Sequence, residues 1–181
     1  MPTLEAYIDL LKTFNEHTNV YSKKAYDRLP FHVQDSRFMA EMIGNRPAKV
    51  LDMGSGSGLP SIIIAICNPQ NQVYAVESTQ KKSRFLTWIS SELGLTNYTV
   101  FQKDILELSH KPPFMADAVT AKAFAAPEKI LFLSKRFAKP GTRVLIPVSA
   151  QQCEPFRGTS DFNIVLKAKD GQLFYYLDKT Y

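Results

Sequence analysis

From residue 50 onward, short apolar runs alternate with longer segments in which apolar residues recur every three or four positions. The short runs predict β-strands at 50–52, 72–76, 98–102, 117–121 and 143–148. The segments between them predict helices over 60–67, 80–93 and 127–137. Strands that alternate with helices are typical of a parallel sheet covered by helices on both faces. The pattern therefore predicts an α/β protein with a doubly wound, mostly parallel sheet.

The N-terminal part of the chain has a different pattern. Apolar residues at helical spacing in Leu4–Thr13 and Phe38–Ile43 predict two helices and no strand. We therefore expect a short helical N-terminal cap, residues 1–46, ahead of an α/β core at residues 47–181.

The C-terminal part predicts an antiparallel hairpin. Two strand-like runs, 163–168 and 172–177, flank Lys169-Asp-Gly, a sequence that favours a tight turn. A second turn is expected at Lys139-Pro-Gly, between the last predicted helix and the strand 143–148.

Length and composition suit one globular unit. The 181 residues are 45% hydrophobic and 22% charged, which is enough to bury a substantial core, so we expect residues 1–181 to form a single domain. Cys67 and Cys153 are too few for a disulfide framework or a cysteine metal cluster, so we expect no metal and reduced thiols. No apolar run approaches the roughly 20 residues that span a bilayer. These features predict a cytoplasmic protein without a membrane partner.

The sequence VLDMGSGSGLP at residues 50–60 carries the strongest functional signal. A predicted strand ends on Asp52 and runs into Gly54, Gly56 and Gly58. Glycine adopts positive φ readily and lets a ligand approach the backbone, so this turn is suited to hold a ligand. The spacing differs from the G-x-G-x-x-G fingerprint of dinucleotide-binding proteins, which weakens a pyrophosphate interpretation. A glycine-rich turn without any ligand is the structural alternative.

Two acidic residues follow the next predicted strands. Glu77 ends the run 72–76, and its carboxylate could accept hydrogen bonds from both ribose hydroxyls of a nucleoside. It could equally cap the helix that begins after Ser78 and Thr79. Asp104 stands where such folds place a polar contact to adenine, and a solvated turn acid is the alternative.

The formal net charge of +5 permits a polyanionic partner without requiring one. Three basic clusters contribute to it, of which the first interleaves with Tyr21, Tyr26 and Phe31. Such interleaving is compatible with base stacking and phosphate contacts, and also with helix packing and solvated helix faces. The clusters are Lys23, Lys24 and Arg28; Lys81, Lys82 and Arg84; and Lys135, Arg136 and Lys139.

Several segments in chain order resemble motifs of the bacterial small-subunit ribosomal RNA guanine-N7 methyltransferases, the RsmG or GidB family. The segments are DMGSGSGLPS at 52–61, ESTQKKSRFL at 77–86 and TAKAFA at 120–125. Upstream, FNEHTNVYS at 14–22 and HVQDS at 32–36 are similar to further motifs of the family. The resemblance runs from residue 14 to about 147.

This resemblance implies a Rossmann-like, class I fold that binds S-adenosyl-L-methionine and methylates 16S ribosomal RNA, free or in the small ribosomal subunit. The implied protein works as a monomer. The resemblance also implies that Lys122, His32 and Asp35 lie at the acceptor base, with Ser36 beside them. His32 and Asp35, three residues apart, could instead simply pair with each other on one helix. The implied cofactor-binding residues are Asp52, Gly54, Ser55, Gly56, Gly58, Leu59, Glu77, Ser78, Asp104, Ile105 and Lys122.

The chain also departs from the family pattern. Ser61 stands where the family usually has glycine, Lys122 where it has arginine, and Pro147-Val-Ser where it has lysine-glycine. Lysine keeps the positive charge but loses the planar, two-pronged geometry of arginine. Two alternatives therefore stay open, namely a class I methyltransferase with another substrate and a catalytically inactive RNA-binding protein with this fold.

Overall fold

The computed structural model describes residues 2–181, and its centre is a seven-stranded sheet with the order β3-β2-β1-β4-β5-β7-β6. The first five strands are parallel to one another, whereas β7 pairs antiparallel with both β5 and β6. The predicted doubly wound, mostly parallel sheet with an antiparallel end is confirmed. The strands are β1 Ala48–Met53, β2 Asn71–Val76, β3 Tyr98–Phe101, β4 Ala116–Thr120, β5 Ala138–Val148, β6 Asn163–Lys169 and β7 Gln172–Thr180.

In the described part of the chain, residues 2–181, seven α-helices surround this sheet. Because side chains alternate between the faces of a strand, Val50 packs with α2 and α3 on one face, while Leu51 packs with α5 and α6 on the other. No helix among residues 2–181 has the length and apolar character needed to cross a membrane. The helices are α1 Leu4–Asn15, α2 Leu29–Ile43, α3 Ser61–Cys67, α4 Gln80–Glu92, α5 Ile105–His110, α6 Pro127–Ser134 and α7 Ala150–Cys153.

Two helix predictions need correction, and two short helices were not predicted. The helix predicted at Phe38–Ile43 begins at Leu29, directly after a 3₁₀ helix at Lys23–Arg28. Its first turns contain polar residues that are buried against other parts of the fold, so they interrupt the apolar spacing on which the prediction rested. The helix predicted over 127–137 ends at Ser134, and the short helices α5 and α7 were not predicted.

The turn predicted at Lys139-Pro-Gly is also wrong, because these residues lie within β5. They form an irregularity in the pairing with β4, where Ala116 pairs with Ala138 but Ala118 pairs with Arg143. The Thr142 hydroxyl donates to the Ala116 carbonyl at 2.6 Å and closes the resulting gap in the ladder.

The predicted C-terminal hairpin is confirmed and is attached firmly to the N-terminal cap. Asp170 and Gly171, both with positive φ, connect β6 to β7. Arg143 of β5 forms two hydrogen bonds with the Asp178 carboxylate, at 2.9 and 2.7 Å, and also donates to the carbonyl of Met42 at the end of α2. These contacts hold the C-terminal end of α2 against the sheet and the hairpin.

Candidate functional site

The glycine turn lies at the carboxyl edge of the sheet, where β1 and β4 mark the switch between the two halves of the fold, the usual ligand position in such sheets. The N–H groups of Gly54 and Ser55 donate to the Val76 carbonyl at 2.9 and 3.1 Å. The Glu77 carboxylate accepts from the Gly56 N–H at 2.9 Å and from the Thr79 N–H at 2.8 Å. Glu77 therefore joins the turn to the start of α4.

The three glycines of the turn have different surroundings. A Cβ atom at Gly54 would overlap the Phe124 ring, and one at Gly58 would overlap the Ile62 side chain. At Gly56 the nearest atom to such a Cβ, the Gly54 carbonyl oxygen, is 3.8 Å away. Gly54 and Gly58 are thus needed for close packing, whereas Gly56 borders open space.

The N-terminal cap also contacts the turn. Tyr7 of α1 is completely buried, and its hydroxyl donates to the Ser57 carbonyl at 2.8 Å. Tyr7 was not predicted to contact the turn, because its position among the apolar residues of α1 indicates only core packing. The phenol thus connects the first helix to the middle of the glycine turn.

Asp52, directly before the turn, is a buried carboxylate that is only half satisfied. Its Oδ1 accepts from the Thr120 hydroxyl at 2.7 Å, whereas its Oδ2 has no partner among residues 2–181. Burial raises the pKa of Asp52 to about 6, against the opposing effect of the Thr120 hydrogen bond. An unpartnered, buried carboxylate oxygen beside the turn is suited to a positively charged or N–H-bearing ligand group.

A small recess of about 180 Å³ lies beside the glycine turn. Four of the predicted cofactor residues, Gly54, Ser78, Asp104 and Ile105, line it together with Phe124. Asp104 also caps α5, since its Oδ1 accepts from the Leu106 N–H at 2.7 Å. The smaller recess therefore combines polar groups and apolar walls at the ends of β1, β2 and β3.

Two further predicted cofactor residues, Ser55 and Leu59, and the neighbouring Ser61 have structural contacts at the turn. The Ser55 hydroxyl donates to the Asp52 carbonyl at 3.1 Å, and the Leu59 side chain packs in the apolar cluster with Phe85. Ser61, at a position where the chain departs from the family pattern, shares a hydrogen bond of 2.8 Å with the Tyr98 hydroxyl. Any cofactor contact by Ser55 or Leu59 stays a prediction.

A larger recess of about 720 Å³ adjoins the smaller one at Phe124, which lines both. Its walls come from α2, from the loop between β4 and α6, and from the ends of β5 and β7. The residues that line it include Arg28, Phe31, His32, Asp35, Lys122, Phe124, Pro147, Ser149, Gln152, Leu173 and Tyr175. It thus brings together the three residues predicted to act at the acceptor base.

Lys122 and Asp35 form the central contact of the larger recess. The Lys122 ammonium lies 2.6 Å from Asp35 Oδ2, and it also donates to the His32 carbonyl at 3.4 Å. Asp35 Oδ1 accepts from the Tyr176 hydroxyl at 2.8 Å. The alternative in which Asp35 pairs with His32 is therefore wrong, because Lys122, 87 residues away, occupies that carboxylate. Burial lowers the pKa of Lys122, and Asp35 opposes this effect.

His32 is neutral near pH 7. Burial lowers the pKa of His32 to about 4, and the positive charge of Lys122 lowers it further. The His32 Nδ1 atom is buried without a partner among residues 2–181. Ser36, by contrast, is fully buried and donates to the His32 carbonyl at 2.8 Å, so in this structure its hydroxyl supports the helix. Residues 2–181 contain no cluster of three or more His, Cys, Asp or Glu side chains arranged for a metal ion.

Comparison with known proteins adds independent evidence. Residues 1–174 match the model of the GidB family, described as rRNA small subunit methyltransferase G. The chain is 31% identical over 163 residues to ribosomal RNA small subunit methyltransferase G of Erythrobacter litoralis, covering 88% of this chain and 76% of that protein. It is 35% identical over 138 residues to the protein of that name from Nitrosococcus oceani, covering 76% of this chain and 63% of that protein.

A solved structure supports the fold. The crystal structure of a SAM-dependent O-methyltransferase from Thermotoga maritima superposes with a TM-score of 0.63 at 17% identity, covering 96% of this chain and 70% of that chain. At this identity the similarity concerns the fold, which is that of the class I methyltransferases.

The raised pKa of Asp52 predicts a specific pH dependence of stability. Because the folded pKa of about 6 exceeds the ordinary value of 3.8, the protonated form is favoured by folding. The stabilisation is complete below about pH 4 and disappears as the pH rises through 6. The free energy of unfolding of the wild type, relative to Asp52→Asn, should fall by up to about 3 kcal/mol over this interval. Urea denaturation of both proteins between pH 4 and 7 measures this difference in the free energy of unfolding. A difference that stays constant with pH would show that the pKa of Asp52 is not raised in the folded protein.

Proposed function

This chain belongs to the rRNA small subunit methyltransferase G family, and from that membership we propose that it transfers the methyl group of S-adenosyl-L-methionine to N7 of a guanosine in 16S ribosomal RNA. One geometric observation supports this proposal most strongly. The smaller recess beside the glycine turn and the larger recess, which Lys122, His32 and Asp35 line, share Phe124 as a lining residue. A methyl donor and its acceptor require this kind of adjacency.

The residues around the smaller recess fit the cofactor. The Glu77 carboxylate would accept hydrogen bonds from the ribose hydroxyls, while Ser78, Asp104 and Ile105 would surround the adenine. The unpartnered Oδ2 of Asp52 is suited to the ammonium group of the cofactor. When bound, S-adenosyl-L-methionine supplies an activated methyl group on a positively charged sulfur.

The acceptor requires positioning more than proton transfer. Guanine N7 carries no proton and holds its lone pair in the plane of the ring, so no general base has to act on it. The neutral His32 and the ammonium of Lys122 can both form hydrogen bonds to a base in the larger recess. During transfer the base gains positive charge, and a lone cation would oppose this. Because Asp35 neutralises Lys122 at 2.6 Å, the pair can offer N–H donors with little net charge.

We further propose that residues 1–181 act as one methyltransferase domain and as a monomer in the cytoplasm. The support is that the cap contacts the glycine turn through Tyr7 and lines the larger recess through His32 and Asp35. A single chain therefore supplies both the side chains proposed to hold the cofactor and those proposed to hold the acceptor base.

Methyl transfer to RNA tests this function directly. The purified protein is incubated with isotopically labelled S-adenosyl-L-methionine and small ribosomal subunits from a strain that lacks the corresponding modification. We expect labelled 7-methylguanosine when the RNA is digested to nucleosides and analysed by mass spectrometry. A different methylated nucleoside would indicate another substrate atom, and cofactor binding without transfer would support an inactive RNA-binding protein.

The Gly56→Asp variant tests the cofactor site. The new carboxylate would occupy the open face of the turn and repel Glu77, so the Kd for S-adenosylhomocysteine, measured by isothermal titration, should rise at least 100-fold. Gly94→Asp is the matched control, because Gly94 has a similar φ of +61° against +57°, a Cβ position that is likewise free of steric overlap, and a location beyond α4. Both variants carry the same backbone strain, so equal loss of affinity in both would reject the assignment.

The Lys122→Gln variant tests the acceptor site. We expect transfer to fall at least 100-fold while the Kd for S-adenosylhomocysteine changes less than fivefold. Since this change leaves the Asp35 carboxylate buried without its cation, the double variant Asp35→Asn/Lys122→Gln is the control for folding. The double variant should recover thermal stability but not transfer. Recovery of transfer together with stability would show that Lys122 has only a structural role.

A further inference from the structure

We propose that five basic residues from the two ends of the chain bind RNA phosphates on either side of the target nucleotide. These residues, Lys23, Lys24 and Arg28 of the cap with Lys167 and Lys169 of β6, are called the basic rim below. The inference rests on the proposed function and extends it, because it assigns substrate binding to the C-terminal hairpin.

The basic rim borders the larger recess through an aromatic stack. Arg28 lines that recess, and its guanidinium carbon lies 5.7 Å from the centre of the Phe31 ring. Phe31 in turn stacks on Phe174 of β7, with ring centres 4.5 Å apart and an interplanar angle of 15°. Phe174 is paired with Lys167 in the hairpin, and paired residues share one face. Arg28 and Lys167 therefore flank the same pair of rings.

A direct contact connects the two halves of the rim. The Lys169 ammonium donates to Gln34 Oε1 of α2 at 2.8 Å. Gln34 lies one helical turn from Phe31, so the cap and the hairpin form one continuous surface here. RNA bound at the larger recess would contact both.

The rim cations have no carboxylate partner in the part of the chain that the structure describes. Among residues 2–181, none of the five takes part in an ion pair, whereas Lys122, Lys139 and Arg143 all do. Four of the five are exposed, and Lys167 is half-buried. Two exposed acids, Asp27 and Asp170, lie in the same segments, which leaves an excess of positive charge. Unpaired surface cations release counterions when they bind phosphates, and this supplies affinity.

Aromatic side chains beside the rim favour RNA over an acidic peptide. Tyr21 and Tyr26 stack with ring centres 6.0 Å apart at 11°. The buried Asn15 holds them, since its Nδ2 donates to the Tyr26 hydroxyl at 2.8 Å and to the Tyr21 carbonyl at 2.7 Å. Aromatic faces fixed next to lysines are typical of surfaces that bind single-stranded RNA by stacking and phosphate contacts.

Neutralising variants of the rim test the proposal. The variants are Lys167→Gln/Lys169→Gln in the hairpin and Lys23→Gln/Lys24→Gln in the cap. The control is Lys135→Gln/Arg136→Gln, which removes the same charge from two exposed residues that follow α6. These residues lie just before the start of β5, at the edge of the sheet opposite to the larger recess. Binding of fluorescein-labelled 16S RNA is followed by anisotropy at several salt concentrations, together with KM for RNA and Kd for S-adenosylhomocysteine.

Each rim variant should weaken RNA binding at least fivefold and reduce the slope of log K against log salt by about 1.4, roughly 0.7 for each lysine. Its KM for RNA should rise in parallel, whereas its Kd for S-adenosylhomocysteine should stay within twofold of the wild type. The control should retain wild-type RNA binding.

Wild-type RNA affinity and salt slope in the hairpin variant, or an equal loss in the control, would overturn the proposal. The anisotropy measurement needs no catalysis, so the rim is tested even if the wild type transfers no methyl group. Absence of transfer by a protein that binds RNA through the rim would instead contradict the proposed function.

Discussion

The carboxylate of Glu77 is the contact on which the site depends. One oxygen holds the Gly56 N–H and the other holds the Thr79 N–H, so a single side chain sets the shape of the glycine turn and the start of α4. Tyr7 holds the same turn from the opposite side, through Ser57. A backbone with three positive-φ glycines has many accessible conformations, and these two contacts select one of them. The turn is thus prepared for a ligand before any ligand binds.

Polar groups are buried around this turn at a cost to stability. Asp52 keeps one oxygen without a partner, and Lys122 is held in a largely buried ion pair with Asp35. Burying charges is unfavourable unless each finds a partner, so such groups add little to the stability of a fold. Their concentration at the carboxyl edge, where the two halves of the sheet diverge, is better explained by the ligands that this edge would bind. The geometry of the site and the family of the chain support the same reaction.

Much of the fold could be predicted because it follows from local patterns. The strands are visible as apolar runs, and Asp170-Gly171 identifies the hairpin turn. The extent of α2 was missed because its polar residues form contacts with other elements: Asp35 pairs with Lys122, and Gln34 accepts from Lys169. The contacts of Tyr7 and of Asp35 join residues 50 and 87 positions apart. Such pairs depend on how helices pack across the sheet, which periodicity does not reveal. The order of the family motifs identified most of the candidate site residues. It did not identify the side chains with which they form hydrogen bonds and ion pairs.

A crystal structure of the complex with S-adenosylhomocysteine would show directly whether Glu77 holds the cofactor. We expect the ribose hydroxyls to contact the Glu77 carboxylate, the adenine to lie beside Asp104 and Ile105, and the sulfur to face the larger recess near Phe124. A ligand bound elsewhere, or a nucleoside that does not contact Glu77, would show that the proposed cofactor site is wrong.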